Sequence, residues 1–250
     1  EVPVELVPLP SEGKIYPPES PLHGKKALEI SAMTAKEEDI LASRALIQQG
    51  TVITHLIRSC VVDKTIDPGQ MILGDRNALM VAIRVTGYGS HYPAESTCPA
   101  CGAKSKQEYT LTDLEIKRLK IKPVEKGLNL FEYKLPVSKK TVRFKFLTGD
   151  DELERSTAEA RKRKILKGTS AENAVTSRLE QIVVSVDGVT DRAKVNHFVN
   201  NMPALDSRSL RKYVDENEPG IDMSVWMSCP QCGTDSQVGL PIGAGFFWPE

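Results

Sequence analysis

Two short stretches, Cys98-Pro99-Ala100-Cys101-Gly102 and Cys229-Pro230-Gln231-Cys232-Gly233, decide the fold of this chain. In each stretch, two cysteines lie in a tight turn that aims both sulfurs at one point, and the glycine permits the left-handed backbone that closes the turn. Four thiolates make up the complete tetrahedral shell of a structural zinc site. We therefore predict one structural Zn²⁺ per chain, with the ligands Cys98, Cys101, Cys229 and Cys232.

The long separation of the two cysteine pairs leaves other interpretations open. Between Cys101 and Cys229 lie 127 residues, far more than in a compact zinc ribbon. Two redox-active pairs, two chance pairs, iron in place of zinc, and His91 in place of one cysteine are the alternatives. Redox-active pairs normally open a helix, whereas Gln107–Leu111 and Gln237–Leu240 after the cysteines are typical of short strands. We therefore favour a zinc ribbon of two hairpins, with a domain inserted between its halves.

The composition argues against several classes of protein. The 33 Lys and Arg residues balance the 33 Asp and Glu residues, so the chain has no long-range attraction to nucleic acid or to anionic membranes. No apolar run approaches the ~18 residues of a membrane span, and because the first residues lack a charged-then-apolar pattern we expect no signal segment. We expect synthesis in the cytoplasm, where reduced cysteines serve as metal ligands rather than as disulfides. The fifth cysteine, Cys60, falls on an apolar helix face and is predicted to be an inert core residue.

The remaining sequence predicts an α+β fold in four parts. An extended, proline-rich arm occupies residues 1–26, since its prolines exclude both a helix and a central strand. One strand and three helices occupy residues 27–92. The split zinc ribbon, with an apolar C-terminal tail, occupies residues 93–122 and 223–250. Between its halves, residues 123–222 form a mainly helical insert with one β-hairpin.

Capping signals place the helices of residues 27–92. Thr34-Ala35-Lys36-Glu37 is a capping box that opens a helix from about Ala35 to Gln49. A second helix carries an apolar face between Val52 and Val61. Asp75 is the predicted N-cap of the third helix. Three helices therefore lead into the first cysteine pair.

The insert begins with a hairpin and a strongly charged helix. Apolar and polar residues alternate in residues 128–135 and 141–147, which predicts two paired strands. The helix that follows has an acidic start, residues 150–154, and a basic end, Arg161–Lys164, an order that matches the helix dipole. Because the dipole accounts for the basic run, a zinc-ribbon nucleic-acid-binding protein is kept only as the alternative function.

The second half of the insert is predicted to be helical. Thr169-Ser170-Ala171-Glu172 is a second capping box. The apolar stripe of its helix continues through Val183 to Val186. Two further helices have apolar faces around Val195 and around Leu210.

Both chain ends are apolar yet rich in proline and glycine. Residues 1–22 and 239–250 cannot form an element with a core of its own. The aromatic run Phe246-Phe247-Trp248 would leave an apolar patch in water, of the kind that marks a binding surface. Each end is expected to dock either on its own body or on a partner, and we predict that both lie against neighbouring subunits.

Several stretches of the chain resemble one known family. They are Val7-Pro8-Leu9-Pro10-Ser11-Glu12-Gly13, Ala32-Met33-Thr34-Ala35-Lys36-Glu37-Glu38-Asp39-Ile40-Leu41, Gly74-Asp75-Arg76-Asn77-Ala78-Leu79, Thr86-Gly87-Tyr88-Gly89 and Cys98–Gly102. The most specific is the box from Met33 to Leu41. On these residues the chain resembles the baseplate hub, or hub assembly, proteins of T4-like contractile-tailed bacteriophages.

The resemblance implies a non-enzymatic structural protein of the phage tail baseplate, which acts by protein–protein contacts in tail assembly. Its implied partners are other baseplate and tail proteins, with copies of itself as a further candidate. Its implied location is the virion tail, although a role restricted to assembly is an equal alternative. No membrane and no small-molecule substrate is expected, and nucleic acid is disfavoured.

The residue pattern also favours a protein that catalyses no reaction. Four histidines, His23, His55, His91 and His197, are scattered singly and have no nucleophile or carboxylate at a suitable spacing. The chain has no phosphate-binding loop and no dinucleotide fingerprint. A zinc ion with four cysteine ligands has no open position for water or substrate. We therefore predict no catalytic residue and no cofactor-binding residue besides the four cysteines.

Overall fold

A computed structural model describes residues 3–165, 174–240 and 246–247, except for the side chains of residues 162–165. The helices are α1 (Ala35–Ala42), α2 (Arg44–Gln49), α3 (Val52–Cys60), α4 (Leu73–Tyr88), α5 (Gly149–Ile165), α6 (Ala174–Ile182), α7 (Arg192–Asn200) and α8 (Ala204–Asn217). The strands are β1 (Val4–Pro8), β2 (Ala27–Ser31), β3 (His91–Thr97), β4 (Lys104–Thr110), β5 (Ile116–Lys117), β6 (Phe131–Lys134), β7 (Thr141–Phe144), β8 (Val183–Val186), β9 (Gly220–Ile221), β10 (Ser224–Ser228) and β11 (Asp235–Gly239). The prediction of a mixed α and β fold is confirmed.

The strands form small antiparallel sheets. Within the described ranges, β1–β2, β3–β4, β5–β9 and β10–β11 each form a two-stranded sheet, and β6–β7–β8 form a three-stranded one. No helix in these ranges is long and apolar enough to cross a membrane. The helices and sheets pack their apolar faces into one shared cluster of buried residues.

The N-terminal segment packs into its own chain. β1 pairs with β2 along its whole length. After β1, four apolar side chains enter the core: Leu9, Ile15, Tyr16 and Leu22. The prediction that this arm lies against neighbouring subunits is therefore wrong for these residues. The prolines do not prevent the packing, because a residue such as Pro8 occupies a strand position whose N–H the β1–β2 ladder does not use.

A buried carboxylate ties this segment to α4. Asp75 accepts hydrogen bonds from the N–H of Ser11 at 2.9 Å, from the hydroxyl of Ser11 at 2.5 Å and from the hydroxyl of Tyr16 at 2.7 Å. Burial raises the pKa of Asp75, while these hydrogen bonds act to lower it. The prediction that Asp75 is an N-cap is wrong, because α4 begins at Leu73 and the side chain faces the N-terminal segment instead.

The first capping box forms as predicted. The N–H and hydroxyl of Thr34 donate to the Glu37 carboxylate at 3.0 and 2.6 Å. The single helix predicted for residues 35–49 is wrong. Ser43 has an extended backbone, with φ −67° and ψ 105°, and its side chain accepts from the N–H of Leu46. Two short helices, α1 and α2, therefore replace one longer helix.

The hairpin sheet of the insert contains a third strand that the sequence patterns did not predict. β6 and β7 form the expected hairpin, and β8 pairs with β7 on its other side. The prediction that Val183 and Val186 continue a helix is therefore wrong, since this valine-rich run follows the strand preference of β-branched residues. The acidic start of α5 is confirmed. The capping box predicted at Thr169–Glu172 lies outside the described residues.

The buried apolar residues of these segments meet in one large cluster. It includes Leu9 from the N-terminal segment, Leu79 from α4, Phe144 from β7 and Leu210 from α8. The cluster therefore spans the predicted boundary between residues 27–92 and the insert. The division into four parts stays a prediction.

The C-terminal aromatic residues also turn inward. Phe246 is fully buried, and its ring meets the ring of Tyr92 edge-on with centroids 5.4 Å apart. Phe247 is 6% exposed and packs against Phe246. The prediction that the tail lies against a neighbour is wrong for these two residues, because their own core already covers them. Trp248 lies outside the described residues.

Candidate metal centre

Two β-hairpins of the same design carry the four cysteines. β3 and β4 enclose a loop of six residues, 98–103, and β10 and β11 enclose a loop of equal length, 229–234. Each loop contains one cysteine pair, and a strand follows each pair as predicted. We call residues 91–110 and 224–239 together the hairpin pair.

Equivalent backbone bonds close the two loops. The N–H of Cys98 donates to the carbonyl of Ala103 at 2.8 Å, and the N–H of Gly102 donates to the carbonyl of Cys98 at 2.9 Å. The corresponding bonds in the second loop measure 3.1 and 2.9 Å. Gly102 and Gly233 have φ of 75° and 70°. This left-handed conformation explains why glycine follows both cysteine pairs.

The loops bring all four sulfurs together. Cys98 Sγ lies 3.8 Å from Cys232 Sγ, and Cys101 Sγ lies 3.6 Å from Cys229 Sγ. All four sulfurs lie within 4.8 Å of one another. These distances are too long for a disulfide bond of about 2.05 Å. They match the separation of about 3.8 Å that a tetrahedron with metal–sulfur bonds of about 2.3 Å requires.

The thiols in this cluster differ in acidity. The side chain and N–H of Thr234 lower the pKa of Cys232 to about 6, with Cys232 Sγ 3.4 Å from the threonine hydroxyl oxygen. The N–H of Ala103 acts to lower the pKa of Cys101, but desolvation and the other three sulfurs raise it to about 12. Like charges this close disfavour joint ionisation. A divalent cation among the sulfurs would remove that conflict.

Little apolar surface surrounds the cysteines. A small buried cluster, separate from the large core, consists of Cys98, Met227 and Cys229, with Ala103 and Val238 beside it. The side-chain amide of Gln107 donates to the carbonyl of Ser228 at 3.2 Å and so joins the two hairpins. The hairpin ends therefore depend mainly on what holds the sulfurs together.

A buried arginine fixes the base of the first hairpin to α4. Arg84 donates to the carbonyls of Gly89 at 2.7 Å and His91 at 3.2 Å. Its guanidinium carbon lies 5.9 Å from the ring centroid of Tyr92. Desolvation lowers the pKa of Arg84. Sequence reasoning missed this residue, because its partners are backbone carbonyls that leave no side-chain signature.

Two other candidate residues can now be placed. His91 is exposed at the opposite end of β3 from the loop. Seven residue steps along the strand separate it from Cys98, roughly 23 Å, so the alternative in which it replaces a cysteine is wrong. Cys60 is buried at the end of α3, and burial raises the pKa of its thiol to about 12. It has the environment expected of an inert core residue.

The fold and the cysteine cluster together define a structural class: an α+β protein in which two hairpins meet at four clustered thiols suited to one ion. The family model described as T4 bacteriophage base plate protein matches residues 9–248. The chain therefore belongs to this family of baseplate proteins, which confirms the resemblance at that level and does not favour the nucleic-acid-binding alternative. No curated protein and no solved structure matches the chain.

Proposed function

We propose that this protein is a structural component of the hub of a contractile phage tail baseplate. It acts through contacts with other baseplate and tail proteins during tail assembly, with copies of itself as further candidate partners. The observation that carries the proposal is the match of the baseplate family over residues 9–248. The box from Met33 to Leu41 adds the resemblance to hub proteins in particular.

We further propose that Cys98, Cys101, Cys229 and Cys232 bind one structural Zn²⁺ ion. The sulfur separations of 3.6 and 3.8 Å support a tetrahedral ion. Thiolates are soft ligands that favour zinc or iron, and zinc is the usual ion for two such loops. The ion would complete a zinc ribbon whose two halves lie far apart in the sequence.

The proposed role is mechanical rather than catalytic. An ion with four thiolate ligands has no open position at which to bind water or substrate. The four histidines, His23, His55, His91 and His197, are all exposed. Each lies in a different segment, which supports the absence of a histidine-based catalytic group.

A phage that lacks the gene for this protein tests the proposal. We expect it to accumulate incomplete baseplates, and we expect the wild-type chain or a Cys60→Ser variant, supplied in trans, to restore tails. A density map of purified tails and of assembly intermediates should place the chain at the tail axis. Normal tails without the gene would contradict the baseplate role, and density at the baseplate rim would contradict the hub assignment.

A further inference from the structure

β1 has one paired edge and one free edge. On the side toward β2, the N–H of Ala32 donates to the carbonyl of Pro3 at one end, and the N–H of Leu9 donates to the carbonyl of Lys26 at the other end. Because bonded positions alternate along an antiparallel pair, Val4 and Leu6 direct their N–H and C=O groups away from β2. No strand pairs with that side of β1 in the described part of the chain. We call these backbone groups of Val4 and Leu6 the free edge.

The side chains along the free edge are apolar and exposed. Val4 is 57% exposed and Leu6 is 64% exposed, and both lie on the outer face of the strand. Pro8 occupies the next position on this edge and offers a carbonyl but no N–H. The free edge is therefore a short ladder with two donors, flanked by two adjacent apolar side chains.

The edge of β2 that faces away from β1 is covered by another segment of the chain. There the N–H of Val62 donates to the carbonyl of Glu29 at 3.0 Å, and Val61 forms a bridge with Ile30. The chain thus covers one edge of this small sheet and leaves the other open. Exposed edges are commonly protected by charged side chains or by proline. Here Pro8 limits the edge at one end only, and the two N–H donors lie beside valine and leucine. An open edge with apolar side chains is the surface to which an extended peptide adds as a further strand.

A second copy of the same chain fits this edge poorly. Two copies of β1 could pair in antiparallel orientation through the N–H and C=O groups of Val4 and Leu6 in each copy. This pairing sets Val4 of one copy opposite Leu6 of the other, and it therefore sets Glu5 opposite Glu5. Like charges directly opposite each other destabilise a strand pair. Glu29, exposed across from Leu6 on β2, adds a further negative charge beside the edge.

We infer that the free edge of β1 binds an extended segment of a different tail protein, which adds as a third strand. The segment carries apolar side chains opposite Val4 and Leu6 and a lysine or arginine opposite Glu5. This inference rests on the proposed function, since it takes the partner from the baseplate. It identifies the partner by its chemistry: an extended backbone with alternating apolar and basic residues.

Replacement of Leu6 by proline tests the backbone part of the inference. Leu6→Pro removes an outward N–H that the β1–β2 ladder does not use, so the purified chain should keep its melting temperature. The matched control, Leu6→Thr, keeps the N–H and changes only the side chain. A photo-reactive amino acid at Val4 reports partner binding in infected cells. We expect Leu6→Pro to lower cross-linking to the partner about tenfold or more, and Leu6→Thr to lower it less, because an unpaired acceptor costs about 1–3 kcal/mol.

Replacement of Glu5 tests the identity of the partner. We expect Glu5→Lys to lower the cross-link yield more than Glu5→Gln does, because lysine would face a basic side chain. The cross-linked peptide should come from another tail protein and should read as an alternating apolar and basic strand. A cross-link to β1 of a second copy, with self-association that Glu5→Gln strengthens, would overturn the inference.

Tail yield separates this inference from the proposed function. If the phage without the gene makes no tails but Leu6→Pro and Val4→Pro variants assemble at wild-type yield, the free-edge inference is wrong and the baseplate role stands. If the gene is dispensable for tails, the baseplate role itself fails. Loss of tails with Leu6→Pro in a chain that is folded, as judged by its melting temperature, supports the inference.

Discussion

Different interactions stabilise two regions of this protein. One region is the body, meaning the described residues outside the hairpin pair, and the other is the ends of the two hairpins. In the body, Phe131, Phe144 and Phe146 lie in mutual ring contact at centroid distances of 4.7 to 5.9 Å, within a core drawn from most of the chain. The hairpin ends have Met227 and two cysteines as their buried cluster. The body is held by apolar burial, and the hairpin ends must be held by something else.

The free energies that apolar burial and metal binding contribute support this contrast between the body and the hairpin ends. A fully buried large apolar side chain contributes about 1.5–3 kcal/mol, so Met227 alone cannot fix the ends of the two hairpins against their loss of conformational entropy. Structural zinc in small zinc-finger peptides contributes about 10–16 kcal/mol at neutral pH. The proposed metal ion would supply an interaction of sufficient strength at the four clustered sulfurs.

The largest expected effect is the loss of the metal. Cys229→Ser, or a strong chelator, should release the ion and disorder the two cysteine loops, residues 98–103 and 229–234, because few other contacts hold these hairpin ends. Hydrogen exchange should show the backbone amides of both loops losing protection, while amides of α4 and β7 change little. Lower pH should act in the same direction, since protons compete with the metal for thiolates.

Cys60→Ser is the matched control for that experiment. It removes a sulfur that lies in the body, so the metal content should remain unchanged. Protection of the loop amides that survives complete metal removal would break the contrast between the two regions.

A second pair of substitutions compares a buried aromatic residue with an exposed one. Phe246→Ala should lower the free energy of unfolding by about 3–5 kcal/mol, because it opens a cavity beside Tyr92. Trp226, which is 70% exposed on β10, should change it by less than about 0.5 kcal/mol when replaced by alanine. Urea denaturation of the metal-loaded chain measures both. Equal effects of the two changes would show that Phe246 is not part of the body.

Local patterns predicted the cysteine loops, the first capping box, the hairpin of β6 and β7 and most helices, because these depend on residues close in sequence. The inward packing of Leu9, Tyr16 and Phe246 could not be predicted this way. A proline-rich or glycine-rich segment has no period that distinguishes docking on its own body from docking on a partner. Val183 was misassigned for a related reason, since a short apolar run fits both a helix and a buried strand.

The partners of Asp75 were also beyond sequence reasoning, because Ser11 lies 64 positions away. Asp75→Asn should lower the free energy of unfolding by about 2 kcal/mol, since an amide replaces an acceptor of three hydrogen bonds. Thermal unfolding measures it. Asn77→Ala, two residues on and exposed, is the control; an equal shift for both would mean that the buried network contributes nothing.

A smaller loss of stability, apart from the control substitutions, is expected at the capping box of α1. Desolvation acts to raise the pKa of Glu37, but hydrogen bonds from Ser59 and Thr34 lower it below its usual value. A carboxylate with a lowered pKa stabilises the fold above its unfolded-state pKa, and this contribution disappears as pH falls through the folded-state pKa. Glu37→Gln should therefore cost about 1 kcal/mol near pH 7 and less near pH 3.

The control for Glu37 is Asp39→Asn, an exposed neighbour on the same helix. Unfolding curves of the wild type and both variants at several pH values measure the difference. If the difference in the free energy of unfolding between wild type and Glu37→Gln stays constant from pH 7 to pH 3, the ionised carboxylate is not the source of that stabilisation.

Native mass spectrometry of the intact chain tests the central claim most directly, because it counts bound ions and identifies them by mass. We predict one zinc ion per wild-type chain, one in Cys60→Ser, and none in Cys229→Ser. A folded wild-type chain that carries no metal, with both cysteine loops still protected from hydrogen exchange, would contradict the account.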